Sequence, residues 1–481
     1  MRSSSWWIFP LLVALQVMPP ACAQENAPPV ASARPFPAPV TAERTLANGL
    51  KVIALQKKGS GVVTLGILVK HPDAWLPQVN SALGPFTLDL LDKGSLAKEL
   101  QTPRQVAERL DSLGTGLDTA NRTDYSSVRM TVLAQNLNPA LSLLQVLVTQ
   151  PAFSKEELAK AQNLALSRFQ ADLDESNFVA GSAFRTYFLQ KSPYRAPETG
   201  LPTSLKALTR DQVAAFHRAN YRPEQMTLLL TGELEVQKVL DRAEAVFGRF
   251  RPAPAPPVPQ PPTATSTPRS IVVIDRPDAA QSTILYGFTL PGRAELGRDF
   301  VRGYVFNGLL AGFSGRLNQE LRIKRGLTYG VRSTVDTRRQ TSWYTARLAT
   351  KPESTLEAFA LVGEVVSAVN ATPAAGAELD TRTTATLGAR ATNLTTTEGL
   401  FEQVSGLVMY DQPLSTLTTF DQQARQVTPA AVQDFARAYL STARTVIVGP
   451  AQKFLQPLEA KFGPVERVSY SDFVQQINQA K

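Results

Sequence analysis

Residues 208–230 read LTRDQVAAFHRANYRPEQMTLLL, and residues 427–448 read VTPAAVQDFARAYLSTARTVIV. Each stretch starts with a threonine that suits a helix N-cap, continues with an amphipathic helical pattern and ends in an apolar run typical of a strand. Amphipathic helices often look alike, but here four positions match at one offset of 219 residues, and each stretch closes one half of the chain. The pattern indicates a duplication. The matched positions are Thr209, Val213, Phe216 and Ala219 in the first stretch and Thr428, Val432, Phe435 and Ala438 in the second.

A proline-rich segment separates the two copies. Seven prolines lie between residues 252 and 262, and another follows at Pro268. Because proline fixes φ and lacks a backbone donor, neither a helix nor a sheet continues through such a segment. We therefore predict a linker at 252–268 between an N-terminal domain at 43–251 and a C-terminal domain at 269–481.

Helical and strand periodicities alternate within both halves, without the regular rhythm of a parallel βαβ fold. A hairpin is expected at residues 44–56, where Asn48-Gly49 supplies positive φ at low cost. The pattern predicts an α+β fold of two homologous halves, each with a mostly antiparallel sheet and helices packed on one side. Strands are predicted at 62–69, 127–133, 271–274, 283–288, 330–335 and 343–349, and helices at 83–91, 103–113, 139–148, 156–172, 300–310 and 356–369.

The N-terminus has the pattern of an export signal. Arg2 precedes an apolar stretch at residues 6–15, which is too short to span a bilayer of ~30 Å, and small residues follow before Gln24. We predict a signal peptide at 1–23, a Pro/Ala-rich tether at 24–42 and a periplasmic or extracellular protein with no transmembrane segment after cleavage. Lipid anchoring at Cys22, the sole cysteine, is the alternative, although the preceding Pro19-Pro20-Ala21 suits it poorly.

The composition limits the kinds of function that the sequence can support. The formal charge is +9, but basic and acidic residues are interleaved, so no nucleic-acid footprint is expected. His71 and His217 are the only histidines in the 481 residues, and neither has a ligand partner at i+4. We expect both to serve packing or surface roles, and the residues by themselves suggest binding rather than catalysis.

Four short stretches add a family resemblance. They are TLANGLKV at 45–52, LLDKGS at 90–95, PAF at 151–153 and the segment from 315 to 330 that contains GRL, LR and RGLTYG. Their order and spacing, together with the duplication, resemble the pitrilysin/insulinase peptidases, which include the mitochondrial processing peptidases. The resemblance covers about residues 43–470.

Active members of that family carry an inverted zinc motif, H-x-x-E-H, just before a turn that corresponds to Lys93-Gly94-Ser95. Its two histidines and its glutamate base fall on Pro85, Asp89 and Leu88, and a distal glutamate ligand falls within residues 161–166, which hold no carboxylate. The resemblance therefore implies a member that has lost its zinc motif and needs no cofactor of its own.

An arginine and a tyrosine that reach toward the substrate in active relatives match Arg322 and Tyr329. The resemblance implies that they contribute to oxyanion stabilisation in trans. A structural alternative places Arg322 at a cationic helix end with Gly326 as its C-cap, and Tyr329 at the start of a strand.

The expected function is that of an exported, non-catalytic subunit of a zinc peptidase, inactive alone, with a zinc-bearing homologous partner and peptide or unfolded protein substrates. A non-enzymatic scaffold or peptide-binding protein of the same fold is the alternative. A stand-alone zinc protease would require ligands that the sequence lacks.

Overall fold

The computed structural model describes residues 36–71, 80–190, 192–197, 200–251 and 271–479. The described residues belong to one compact unit, Pro35–Lys481. The predicted signal peptide, Cys22, the linker at 252–268 and most of the tether lie outside the described residues. The first strand begins at Val40, so the end of the predicted tether at residue 42 overlaps it.

The first half contains a six-stranded sheet in the order β1-β2-β6-β3-β5-β4. Only the β2–β6 pair is parallel, and Gly49, at φ 92°, turns the β1–β2 hairpin as predicted. The strands are β1 (Val40–Thr45), β2 (Lys51–Gln56), β3 (Val62–Lys70), β4 (Asp118–Asn121), β5 (Tyr125–Leu133) and β6 (Met226–Gly232). The helices are α1 (Leu83–Asp89), α2 (Pro103–Ser112), α3 (Leu137–Thr149), α4 (Lys155–Asp174), α5 (Ser176–Phe188), α6 (Pro202–Ala207), α7 (Arg210–Asn220) and α8 (Val236–Phe247).

The second half repeats this plan in a sheet of order β12-β7-β11-β8-β10-β9. Here β7 pairs in parallel with β11 and with β12. The strands are β7 (Ile271–Asp275), β8 (Ser282–Pro291), β9 (Val331–Asp336), β10 (Thr341–Thr350), β11 (Arg444–Gly449) and β12 (Glu466–Ser469). The helices are α9 (Arg293–Leu296), α10 (Asp299–Leu310), α11 (Arg316–Asn318), α12 (Thr355–Ala371), α13 (Gly376–Asn393), α14 (Thr397–Met409), α15 (Thr416–Arg425), α16 (Pro429–Tyr439), α17 (Leu455–Phe462) and α18 (Tyr470–Gln479).

The two stretches quoted above form α7 with β6 and α16 with β11. Thr209 and Thr428 cap the two helices, each accepting a hydrogen bond from the backbone N–H three residues on. The valine and phenylalanine of each helix are buried as predicted, whereas Ala219 is only half-buried and Ala438 is exposed. The α+β fold with two similar halves is confirmed.

The central strands of each sheet are buried on both faces, and both halves contribute to this burial. The helices of a half cover mainly one face of its own sheet. The opposite face of the first sheet packs against α14, and that of the second sheet packs against α5. Each half therefore completes the core of the other, which the sequence patterns do not reveal.

Two glycines allow this close packing. A Cβ on Gly66 in β3 would lie 2.5 Å from the carbonyl oxygen of Val128 and 2.7 Å from the ring of Phe401 on α14. A Cβ on Gly287 in β8 would lie 2.5 Å from the carbonyl oxygen of Tyr344 and 3.0 Å from the ring of Phe184 on α5. The same glycine–phenylalanine contact thus occurs in both halves.

A buried hydrogen-bond network also joins the halves. The Asp124 carboxylate, from the first half, accepts from the hydroxyl of Tyr194 at 2.8 Å. It also accepts from two groups of the second half, the hydroxyl of Tyr410 at 3.1 Å and the backbone N–H of Arg339 at 3.0 Å. Because an unmade hydrogen bond is costly in the interior, this network favours one arrangement of the halves.

Among the described residues, no single helix is long and apolar enough to cross a membrane; Pro352–Ala371 and Gly376–Asn393 meet the length and composition criteria only together, across a 115° bend.

Candidate functional site

The three degenerate zinc-motif positions lie on α1. Pro85 occupies the first turn of this helix, where proline is tolerated because no intrahelical donor is lost. Leu88 is 2% exposed and packs into the hydrophobic core of the first half. Asp89, the last helical residue, is exposed. The turn after α1 needs glycine, because Gly94 has φ 105° and a Cβ there would lie 2.4 Å from the carbonyl oxygen of Gln101.

Pro85, Leu88 and Asp89 line a cavity of about 610 Å³ between α1, α4 and β4. Ala161, Leu164 and Ala165 on α4 lie on the opposite wall. The structure therefore brings the zinc-motif positions together with the segment predicted for the distal ligand. None of these three α4 residues carries a metal-binding group.

The remaining charges of this cavity are mixed. Lys160 lies 2.7 Å from Glu156 and 2.8 Å from Glu157, and both hydrogen bonds raise the pKa of the lysine. Asp89 is accessible to water, but the cavity walls displace enough of it to raise the pKa of the carboxyl, against the opposing charge of Arg168. Within the described residues, no group of three or more His, Cys, Asp or Glu side chains could hold a metal ion.

Both histidines are buried in apolar surroundings. His71 packs its edge against Phe216 at 5.3 Å, and burial lowers its pKa to about 3. His217 donates from Nε2 to the carbonyl oxygen of Val148 at 2.8 Å and stacks on Tyr221. Burial lowers the pKa of His217 to about 4. Both imidazoles are therefore neutral near pH 7. Of the two roles expected for these histidines, packing is the one that fits their burial.

Arg322 and Tyr329 lie on a different surface and do not line the first-half cavity. Arg322 belongs to a π-helical segment, Gln319–Lys324. Its guanidinium carbon lies 4.8 Å from the ring centre of Tyr329 and 5.0 Å from that of Phe313. Tyr329 is 89% exposed and Phe313 is 62% exposed. The cation thus contacts two accessible rings.

The structural alternative for this pair is correct in one part and wrong in another. Gly326 has φ 62° and its N–H donates to the carbonyl oxygen of Arg322, as a C-cap does. Tyr329, however, does not start a strand, because β9 begins at Val331. The Thr328 hydroxyl accepts from the N–H of Gly330, so this turn leaves Tyr329 outside the sheet.

Ion pairing distinguishes Arg322 from its basic neighbours. Glu320 pairs with Lys324 at 2.6 Å and with Arg325 at 2.7 Å. In the part of the chain that the structure describes, Arg322 makes no ion pair. Its position next to Tyr329 therefore depends on the aromatic contacts rather than on a carboxylate.

Two residues that support this pair are not among those predicted from the sequence. Phe313 provides a second aromatic contact for the Arg322 guanidinium, at 5.0 Å. Asn318 is 5% exposed and fixes both ends of the loop, since its amide donates to the carbonyl oxygens of Gly312 at 2.9 Å and Val331 at 2.8 Å. The sequence signal that could have identified Asn318 is its position directly after Gly315-Arg316-Leu317 and ahead of the next strand.

Comparison with known proteins agrees with this architecture. Residues 207–381 match a family model described as the peptidase M16 inactive domain. The chain is 23% identical over 294 residues to an uncharacterized zinc protease of Rickettsia bellii, covering 60% of this chain and 68% of that protein. It is 19% identical over 217 residues to a probable mitochondrial-processing peptidase subunit beta of Arabidopsis thaliana, covering 45% and 40% of the two chains.

The fold is also that of a solved structure, the peptidase M16 inactive domain of Pseudomonas fluorescens. The TM-score is 0.77 at 22% identity, with 85% of this chain and 98% of that chain covered. Residues 207–381 are therefore similar in sequence to the M16 peptidase family model, and the chain shares the fold of that solved structure.

Proposed function

We propose that this chain is an exported, non-catalytic subunit of a zinc peptidase and supplies Arg322 and Tyr329 to a zinc-bearing homologous partner. The observation that carries the proposal is the contrast between the two surfaces. Arg322 and Tyr329 contact each other on an accessible surface, while the zinc-motif positions are Pro85, Leu88 and Asp89.

Zinc does not fit the first-half cavity. Proline and leucine side chains offer no lone pair to a metal and cannot take a proton from water. Asp89 shares the cavity with other carboxylates, but within the described residues no three His, Cys, Asp or Glu side chains are placed to hold a metal ion together. The zinc that activates water in this proposal therefore belongs to the partner.

The second-half pair has the properties that oxyanion stabilisation requires. A guanidinium presents several N–H donors in a fixed plane, and contact with Phe313 and Tyr329 limits the directions in which it points. The Tyr329 hydroxyl is a second donor that water and substrate can reach. Donors aligned in advance stabilise the negative charge that develops on a scissile carbonyl.

The partner and the location are supported indirectly. One relative is named as the beta subunit of a processing peptidase, and such a name implies an assembly for that protein. The signal-like residues 1–23 support export to the periplasm or beyond. Peptides or unfolded proteins are the proposed substrates.

The proposal is tested by co-expressing this chain with a zinc-bearing M16 homologue of the same organism and measuring peptide hydrolysis by the purified pair. Loss of one oxyanion donor typically lowers kcat by ~10²–10³, so Arg322→Ala is expected to cause a drop of this size and Tyr329→Phe a smaller one. Arg325→Ala is the matched control, because Arg325 is a neighbouring cation already paired with Glu320, and it should leave kcat unchanged.

Two outcomes would contradict the shared-site proposal. In the first, the pair forms but Arg322→Ala hydrolyses peptide as fast as the wild type. In the second, no zinc-bearing homologue associates with the chain, and this result would favour a non-enzymatic scaffold or peptide-binding protein.

A further inference from the structure

The second half contains a cavity of its own, of about 430 Å³, between α10, α13, α14 and α15. It lies next to α10, which follows β8 as α1 follows β3 in the first half. Its volume is within the range of ~300–1,000 Å³ that is typical of small-molecule sites.

Aromatic rings form much of its wall. Phe300, Tyr304 and Phe420 all line the cavity. The rings of Tyr304 and Phe420 meet edge to face at 4.9 Å, and those of Phe300 and Phe420 at 6.0 Å. A further aromatic ring would find offset or edge-to-face partners here.

Two of the charged residues that line this cavity are already neutralised by partners. Arg390 donates to the carboxylate of Asp421 at 2.7 Å and to the carbonyl oxygen of Leu417 at 3.0 Å. Glu402 is paired with Arg129 of the first half. Neither pair leaves an excess charge in the cavity.

Arg293 is different, because its side chain has no anionic partner. It is 7% exposed and lines the cavity, and its guanidinium carbon lies 3.7 Å from the ring centre of Phe300. Among the described residues, no acceptor forms a hydrogen bond or an ion pair with this guanidinium. Burial lowers the pKa of Arg293 to about 10, so the group still carries its charge near pH 7.

A buried, unpaired guanidinium is unfavourable. Its N–H donors lose part of their hydration without gaining an acceptor from the described residues, and the cation–π contact with Phe300 compensates only partly for this loss. A bound anion would supply the acceptors. A carboxylate matches the planar fork of an arginine and can bind it through two hydrogen bonds.

We propose that this cavity binds a monocarboxylate with an aromatic body, its carboxylate on Arg293 and its ring among Phe300, Tyr304 and Phe420. A single negative charge matches the single unpaired cation that lines the cavity among the described residues. The ligand is either a small free aromatic acid or the C-terminus of a peptide that ends in an aromatic residue.

The test uses calorimetric titration of the full chain with two probes, 4-phenylbutyrate and N-acetyl-Ala-Ala-Phe, each beside its carboxamide. At least one acid is expected to bind, with its amide tenfold or more weaker, and the acid that binds more tightly identifies the source of the ligand. Arg293→Met is expected to abolish this preference for the acid. Arg298→Met, which removes an exposed arginine before α10, should not change it.

A thermal melt without ligand separates binding from folding. Arg293→Met should melt at the wild-type temperature or above, because it removes a buried unpaired charge and keeps most of the volume. The proposal is overturned if neither acid binds at millimolar concentration, if each amide binds as well as its acid, or if Arg293→Met retains wild-type affinity for the acid. A lower melting temperature for Arg293→Met would also overturn it.

Discussion

Phe401→Ala should strongly destabilise the protein, because Phe401 is a fully buried residue of α14 that packs on the sheet of the other half. The side chain is 0% exposed and lies directly over Gly66 in β3. Truncation of a buried phenylalanine to alanine costs ~3–5 kcal/mol. The upper part of this range is expected, because strand backbone lies beneath the ring and cannot move to fill the space.

Chemical denaturation followed by far-UV circular dichroism measures this effect as a lower transition midpoint. Phe184→Ala, the equivalent change at Gly287, should give a loss of similar size. Phe401→Leu retains a large apolar side chain and should lose less than ~1.5 kcal/mol. Leu133→Ala serves as the surface control, since Leu133 is 52% exposed and such changes usually stay within ~0.5 kcal/mol. If Phe401→Ala unfolded at the same denaturant concentration as Leu133→Ala, the idea that each half completes the core of the other would be wrong.

Two further predictions concern buried polar groups. Asp124→Ala should lower stability by about 2–6 kcal/mol, because the Tyr194 hydroxyl and the Arg339 N–H both lose this acceptor and each such loss costs about 1–3 kcal/mol, whereas the Tyr410 hydroxyl keeps the carbonyl oxygen of Thr337. Asp124→Asn, which keeps an acceptor oxygen, should lose less in the same denaturation assay. His217 should make stability depend on pH, since its pKa falls from 6.5 to about 4 on folding and the unfolded state therefore binds more protons between these values. The contribution of neutral His217 to the free energy of unfolding is fully present above about pH 6.5 and falls by ~3 kcal/mol toward pH 4. His217→Gln should flatten that part of the plot of unfolding free energy, measured in urea, against pH. An unchanged slope would contradict the lowered pKa of His217.

Local sequence signals predict local structure well in this chain. Asn48-Gly49 gives the first hairpin its turn, and Thr209 and Thr428 mark the starts of equivalent helices. These features depend on backbone conformation and on hydrogen bonds between residues a few positions apart. The sequence therefore contains nearly all the information that they require.

The packing of α14 on the first sheet and of α5 on the second sheet, each helix covering the sheet of the other half, could not be predicted in the same way. The amphipathic pattern of α14 shows that one face is buried, but it does not show which sheet buries it. The run VVTLGILVK of β3 gave a partial signal, because a strand that is apolar on both faces must be covered on both. Gly66 within that run indicated a close approach, although not the identity of Phe401 as the neighbour.

The candidate site was predictable only through family resemblance. That resemblance selected Arg322 and Tyr329, and the structure shows the contact between them. Phe313 was missed because it lies in a loop with no periodic pattern. The π-helical turn that carries Arg322 likewise depends on tertiary hydrogen bonds, among them those of Asn318 to Gly312 and Val331.

A peptide-cleavage assay of the isolated chain, with added zinc and with a chelator, tests the central claim most directly. We expect turnover no higher than that of a mock purification under either condition, because Pro85 and Leu88 provide neither a metal ligand nor a base. Cleavage that a chelator abolishes and zinc restores, from protein that carries one zinc per chain, would contradict the assignment as a non-catalytic subunit.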